Sequence, residues 1–208
     1  MRRILTTATV LAAVAAAVTT ASHASASPEQ APGQEMAAGP ILVNEVASRG
    51  PNGSLDEFIE IRNVSNAPVD VSNYVVRVYT ATNVVVAPIS LVGIELAPRG
   101  NEGDLLTLTG AYFSGTIASG QTLPYMLPNV EGIPDNGGVA IYTLAGAKVD
   151  GIAFSNSVPA AREGSPAQSL LSVPDQLAPA SARDILSTDT DNNRNDFTRH
   201  VRTPGALN

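Results

Sequence analysis

Between residues 41 and 76 the chain reads ILVNEVASRGPNGSLDEFIEIRNVSNAPVDVSNYVV, and the spacing of its apolar residues restricts the backbone sharply. Two short runs of mixed apolar and polar residues, 41–48 and 57–64, flank a loop that contains Pro51, Asn52 and Gly53. A third run, 70–80, follows Ser65-Asn66-Ala67-Pro68. In the second run Ile59 and Ile61 fall on one face of an extended strand, with Glu60 and Arg62 on the other. This period of two predicts a strand with Ile59 and Ile61 facing a core and Glu60 turned outward.

The same grammar continues downstream. Strand-sized runs recur at 84–92, 104–109, 122–127, 139–144 and 149–154. Between them lie Pro98-Arg99-Gly100, Ser119-Gly120, Asp135-Asn136-Gly137-Gly138 and Ala145-Gly146, all residues that favour turns. No stretch after residue 26 keeps a helical period for three turns, so the spacing predicts an all-β sandwich or barrel. Leu144 to Lys148 reads as a hairpin turn between two paired strands. From 155 to 196 the apolar content falls and Ser, Pro, Asp and Asn rise, which predicts a long loop region.

The N-terminus follows different rules. Arg2 and Arg3 precede an apolar run from Ile4 to Val18, and Ala24-Ser25-Ala26 forms an A-x-A cleavage site. Residues 1–26 therefore read as a secretory signal peptide rather than a membrane span, which needs about 20 apolar residues. Residues 27–39 read as a flexible lead-in with little to bury, and residues 40–208 as one folded domain. Loss of the two arginines with the signal takes the formal charge from −7 to −9. An acidic surface argues against non-specific nucleic-acid binding, which needs cations to replace counterions on phosphate. The chain has no cysteine, which excludes a thiol nucleophile, a thiolate metal site and a lipid-modified cysteine anchor. The expected product is secreted, released from the membrane and monomeric.

A set of short motifs runs along the chain: Val43-Asn44-Glu45-Val46, then Asp56 to Ile61 followed by Asn63, and Pro68-Val69-Asp70-Val71-Ser72. Further along come Leu96-Ala97-Pro98, Ile133 to Val139, Arg162 to Pro166, and the close from Asp189 through Asp196-Phe197 to Thr203-Pro204-Gly205. Together these segments resemble the lamin tail domain family in its bacterial secreted, standalone form, and the resemblance covers nearly all of the chain after the signal. It implies an immunoglobulin-like β-sandwich and a role in contacts with other molecules rather than in chemistry. Bacterial members often accompany nuclease or phosphoesterase domains, so an accessory role beside such an enzyme is an alternative. Where the family often has glycine then tryptophan, this chain has Asn73 and Tyr74; asparagine tolerates a left-handed backbone, and tyrosine can fill an apolar slot.

Three residue groups are candidates for chemistry. In the acidic loop 189–196, Asp189, Asp191, Asn193 and Asn195 alternate as in the first half of an EF-hand, which makes a Ca²⁺-stabilised module a second alternative. Arg194 stands where that loop needs glycine and His200 where it needs glutamate, so a turn capped by Asp and Asn side chains is the plainer reading. Glu45, Glu57 and Glu60 could form an acid–base pair of the glycosidase kind, yet no tryptophan is present to stack a sugar, and strand positions account for them. His200 is the one histidine after the signal, no G-x-S-x-G elbow appears, and Arg194, Arg199 and Arg202 are interleaved with Asp189, Asp191 and Asp196. The sequence thus predicts no catalytic residues, cofactor or metal ligand. It points to a secreted, non-catalytic domain for binding or scaffolding, with an extracellular protein or polysaccharide as partner.

Overall fold

A computed structural model describes residues 39–128 and 132–208; the expected signal peptide and all of the lead-in but Gly39 lie outside these described residues. In chain order the strands are β1 (Ile41–Ala47), β2 (Phe58–Asn63), β3 (Val69–Asp70), β4 (Tyr74–Tyr79), β5 (Val85–Ser90) and β6 (Glu95–Leu96). They continue with β7 (Leu105–Thr109), β8 (Gln121–Pro124), β9 (Gly138–Thr143), β10 (Lys148–Ala153), β11 (Pro179–Ala182) and β12 (Thr198–Val201). A single helical turn, α1 (Asn193–Asp196), precedes β12. The sheets have the orders β12-β11-β1-β2-β7-β8, β10-β9-β4-β5 and β3-β6. The fold is an all-β, immunoglobulin-like sandwich, and no helix among the described residues is long and apolar enough to cross a membrane.

The two larger sheets bury their facing side chains against each other. Ile59 and Ile61 of β2, Val76 and Val78 of β4, Leu106 and Leu108 of β7, and Val139 and Ile141 of β9 are fully buried in one core cluster. Alternation puts each pair on a single face, as the spacing predicts. In β1 the apolar residues Ile41, Val43 and Val46 are spaced by two and then three. The β1–β2 register shifts between Val43 and Glu45, so Asn44 is the extra residue of a bulge that turns Val46 back into the core. The hairpin from Leu144 to Lys148 joins β9 to β10, with Gly146 at φ 92° closing the turn. Gly137 lies so close to the Tyr79 carbonyl that any side chain there would collide with it.

Three expectations need correction. Glu60 and Arg62 do lie on the face opposite Ile59 and Ile61, but that face is not open to water. Leu42, Glu45, Ala47, Phe58, Glu60 and Arg62 are all buried there. Phe113 packs edge-on against Phe58 at 5.8 Å, Ile185 and Ser187 bond Arg62, and the segment from Thr203 bonds Glu45 and Glu60. Second, the region 155–196 contains β11, which is inserted between β12 and β1 and fully buried. Its short Pro-Ala-Ser-Ala sequence gives no alternation of large apolar residues to read. Third, Asn73 closes a 3₁₀ turn and is not among the left-handed residues, so it stands in for no glycine conformation. Tyr74 does pack against the core.

Candidate functional site

The acidic loop is built as a turn. Asp196 accepts bonds from the Thr190 amide at 3.1 Å, the Thr190 hydroxyl at 2.6 Å and the Asn192 amide at 3.2 Å. Asn192 caps α1 by accepting from the Arg194 amide. Asn193 is buried and points away from the loop: its oxygen accepts from the Ala153 and Glu163 amides, and its nitrogen donates to the Gly151 carbonyl at 2.7 Å. Asp191 and Asn195 are exposed. The four alternating residues therefore do not converge on one point.

The glutamates are separated into two settings. Glu45 and Glu60 are direct cross-strand partners, and both are fully buried. Glu45 accepts from the Thr203 amide at 3.0 Å and the Thr203 hydroxyl at 3.1 Å. Glu60 accepts from the Gly205 amide at 2.6 Å and the Asn44 side chain at 2.8 Å. Asn44 in turn accepts from Ser187, which receives a bond from Arg62, and Arg62 is paired with Asp104 at 3.2 Å. Burial pushes Glu45 up to about 7, and burial together with the Glu45 charge pushes Glu60 up to about 8. Glu57 lies apart, bonded to the Tyr125 hydroxyl and the Ile133 amide, and burial pushes it up to about 7. Raised carboxylic acids can serve as general acids. Here the network encloses them, and Glu45 and Glu60 expose no surface for a substrate to reach.

The basic cluster divides in the same way. His200 stands exposed on β12 with its Nε2 2.6 Å from the Thr198 hydroxyl, and no carboxylate is among its partners in the described residues. Arg202 is paired with buried Asp56 at 2.7 Å and lies 5.4 Å from the Phe113 ring centre. Arg199 donates to the Ser169 carbonyl. Arg194 sits in the last turn of α1. A shallow cleft of about 260 Å³ is lined by Ser54, Ile133, Pro134, Asp135, Asn136 and Leu171. Asp135 is already engaged there by Ser48 at 2.7 Å and Arg49 at 2.8 Å, and Asp175 holds the other side of the Arg49 guanidinium.

One polar centre joins Asp189 and Asp196 of the acidic loop to three residues that are not sequence candidates, Asp150, Glu163 and Arg183. Arg183 follows β11 and is fully buried between the sheets. Its Nε donates to the Val43 carbonyl at 3.0 Å, and Nη2 meets Asp150 at 2.8 Å. Its Nη1 donates to the Thr188 carbonyl at 2.6 Å and lies 3.3 Å from Asp189 and 3.4 Å from Asp196. The guanidinium also stacks 4.5 Å over the Phe197 ring. Asp150 accepts the Val43 amide at 2.6 Å, so Arg183 and Asp150 satisfy the backbone of β1 where its ladder is interrupted. Glu163 completes the group, with Lys148 3.2 Å from one oxygen. Burial and the Asp150 charge push Glu163 up to about 9. A signal for this centre was present in the sequence. Asp150 stands two residues before Ile152, an inward position, and an inward carboxylate requires a cation.

No protein-family model matches the chain, and no curated protein matches it either.

Proposed function

We propose that the chain is a secreted, non-catalytic binding or scaffolding domain of the lamin-tail kind, acting on an extracellular protein or polysaccharide. One observation carries this reading: the titratable side chains best suited to chemistry are enclosed and employed as struts. Glu45 and Glu60 fasten the C-terminal segment, Glu57 fastens the Ile133 backbone, and Arg183 joins the two sheets. Catalysis needs an accessible nucleophile or activated water, a matched acid or base, and a stabiliser of developing charge. The strut arrangement leaves recognition to the surface.

The edge of the six-stranded sheet supports recognition best. All four residues of β12 are exposed, and a groove of about 210 Å³ beside it is lined by Val173, Leu177, Pro179, Arg199, His200 and Val201. Leu177 and Val201 are 57% and 67% exposed, an apolar rim beside an edge that offers unpaired backbone groups. The test uses the secreted protein. Protein recovered from the medium should begin at Ser27 without a lipid, and should bind extracellular proteins or glycans through this edge. Leu177→Asp with Val201→Asp should abolish binding while leaving the melting transition in place. Retention of residues 1–26 in a membrane fraction, or binding indifferent to both substitutions, would contradict the reading.

A further inference from the structure

The polar centre between β1 and β10 gathers four carboxyl groups, Asp150, Glu163, Asp189 and Asp196, around two cations, Arg183 and Lys148. All four cannot ionise unaided, and in the ion-free protein burial and the Asp150 charge hold the Glu163 proton up to about pH 9. The shortage of positive charge is felt at one atom. Glu163 Oε2 is buried and receives no hydrogen bond; the nearest Arg183 nitrogen is 4.0 Å away. The Glu163 side chain is only 8% exposed, so bulk water does not make up the difference. A buried carboxylate oxygen without a donor is costly, and natural structures rarely leave one so.

Geometry identifies what would satisfy it. One oxygen each from Asp150, Glu163 and Asp189 lie within 4.8 Å of one another. Oxygens that share a Ca²⁺ ion lie about 2.3–2.6 Å from it, hence no more than about 5 Å apart. Mg²⁺ holds its ligands at about 2.1 Å and would draw the three carboxylates inward. Asp150 Oδ1 can accept from Arg183 and still bind an ion, because a carboxylate oxygen has a second lone pair. The Asp189 side chain is 10% exposed and stands at the solvent side, where water can complete the coordination shell. A divalent ion would displace the Glu163 proton and, with Arg183 and Lys148, balance all four carboxylates once they are ionised.

We propose that Asp150, Glu163 and Asp189 form a structural site for a hard divalent cation of Ca²⁺ size. The ion ties β10, the segment after β10 and the acidic loop to Arg183, and so fixes the long 155–196 region onto the sandwich. It is not the alternating set of the acidic loop: Asp191, Asn193 and Asn195 take no part. The site is independent of the binding role of the β12 edge.

The experiment is calorimetric titration of the chelator-treated full chain with CaCl₂, with melting curves in parallel. The expected result is one ion per chain, and a rise in Tm of roughly 5–10 °C at a hundredfold excess over Kd. Glu163→Gln, which keeps the side chain's shape, should abolish both effects. Asp189→Asn, on the solvent side, should weaken binding at least tenfold without unfolding the protein. Asp191→Ala should bind as the native chain does. No heat at about 10 mM Ca²⁺, well above the Kd of weak extracellular sites, would overturn the site. So would binding that survives Glu163→Gln or is lost in Asp191→Ala. If the native chain binds nothing while Glu163→Gln is more stable at alkaline pH, a proton shared with Asp150 fills the place assigned to the ion, and the proposal fails.

Discussion

Glu45 and Glu60 face each other across the antiparallel β1–β2 pair, and each accepts a backbone amide from the C-terminal segment, Thr203 and Gly205 respectively. Two carboxylates this close and this buried cannot both ionise without strong repulsion. The pair therefore acts as a proton-dependent clasp on the last residues of the chain rather than as an exposed acid and base.

The clasp and, separately, Glu57 set a pH dependence of stability. Glu45 and Glu57 are raised to about 7 and Glu60 to about 8, from an ordinary value of 4.5. A raised folded-state pKa means the folded protein keeps protons that the unfolded chain has released. The stabilisation is complete below pH 4.5 and is lost as pH rises through about 7 to 8, at no more than about 1.4 kcal/mol per pH unit for each group. Asp56 works in the opposite sense. Burial opposes its charge, but Arg202, Ser114 and the Asn52 amide hold it below its ordinary 3.8, so its contribution is lost only in stronger acid. Urea unfolding between pH 4.5 and 8.5 should show stability falling with pH, with a shallower fall in Glu60→Gln. A rise across that range would contradict the assignment.

The core prediction is simpler. Ile59 and Ile61 are fully buried between the sheets, so truncation of either to Ala should cost about 2–5 kcal/mol. Equilibrium unfolding of the two variants checks it. A loss below about 0.5 kcal/mol at both positions, the range of surface substitutions, would mean the inward face has been misassigned.

Arg183 should be the most sensitive polar position. Its removal leaves Asp150, Asp189 and Asp196 without their buried cation and the Val43 carbonyl without its donor. Arg183→Ala should cost about 3–5 kcal/mol, the range for breaking a buried ion pair from one side. Arg183→Lys should recover only part, since an ammonium lacks the planar fork that serves Val43, Thr188 and Asp150 together. Denaturant midpoints of the three proteins provide the comparison, and equal stability of the Ala variant would remove Arg183 from its role as a strut.

The sequence disclosed the strands wherever alternation involved large apolar residues, as in Phe58 to Arg62 and Tyr74 to Tyr79. The hairpin at Gly146 was legible because a left-handed turn residue sits between two β runs. Glu60 is buried where the spacing places it outward, because alternation separates two faces but does not say whether the second is covered. That cover comes from Phe113, Ser187 and Gly205, all distant in the chain. β11 was hidden because Pro179-Ala180-Ser181-Ala182 has no bulky side chain, and its strand character comes from pairing with β1 and β12. The inward position of Asp150 calls for a cation, but nothing in the sequence names Arg183 as that cation: its four acidic neighbours are spread from Asp150 to Asp196, and only the fold brings them together.

The most direct measurement of the central claim, that these buried charges hold a binding domain together and do no chemistry, is a turnover assay. The purified chain would be offered phosphoesters, glycosides, carboxylic esters and DNA, each with and without divalent cations. The account predicts no turnover above background on any of them. Turnover that disappears in Glu57→Gln or Glu60→Gln, while the melting transition of the variant is kept, would show that the enclosed carboxylates are catalytic and would contradict the account.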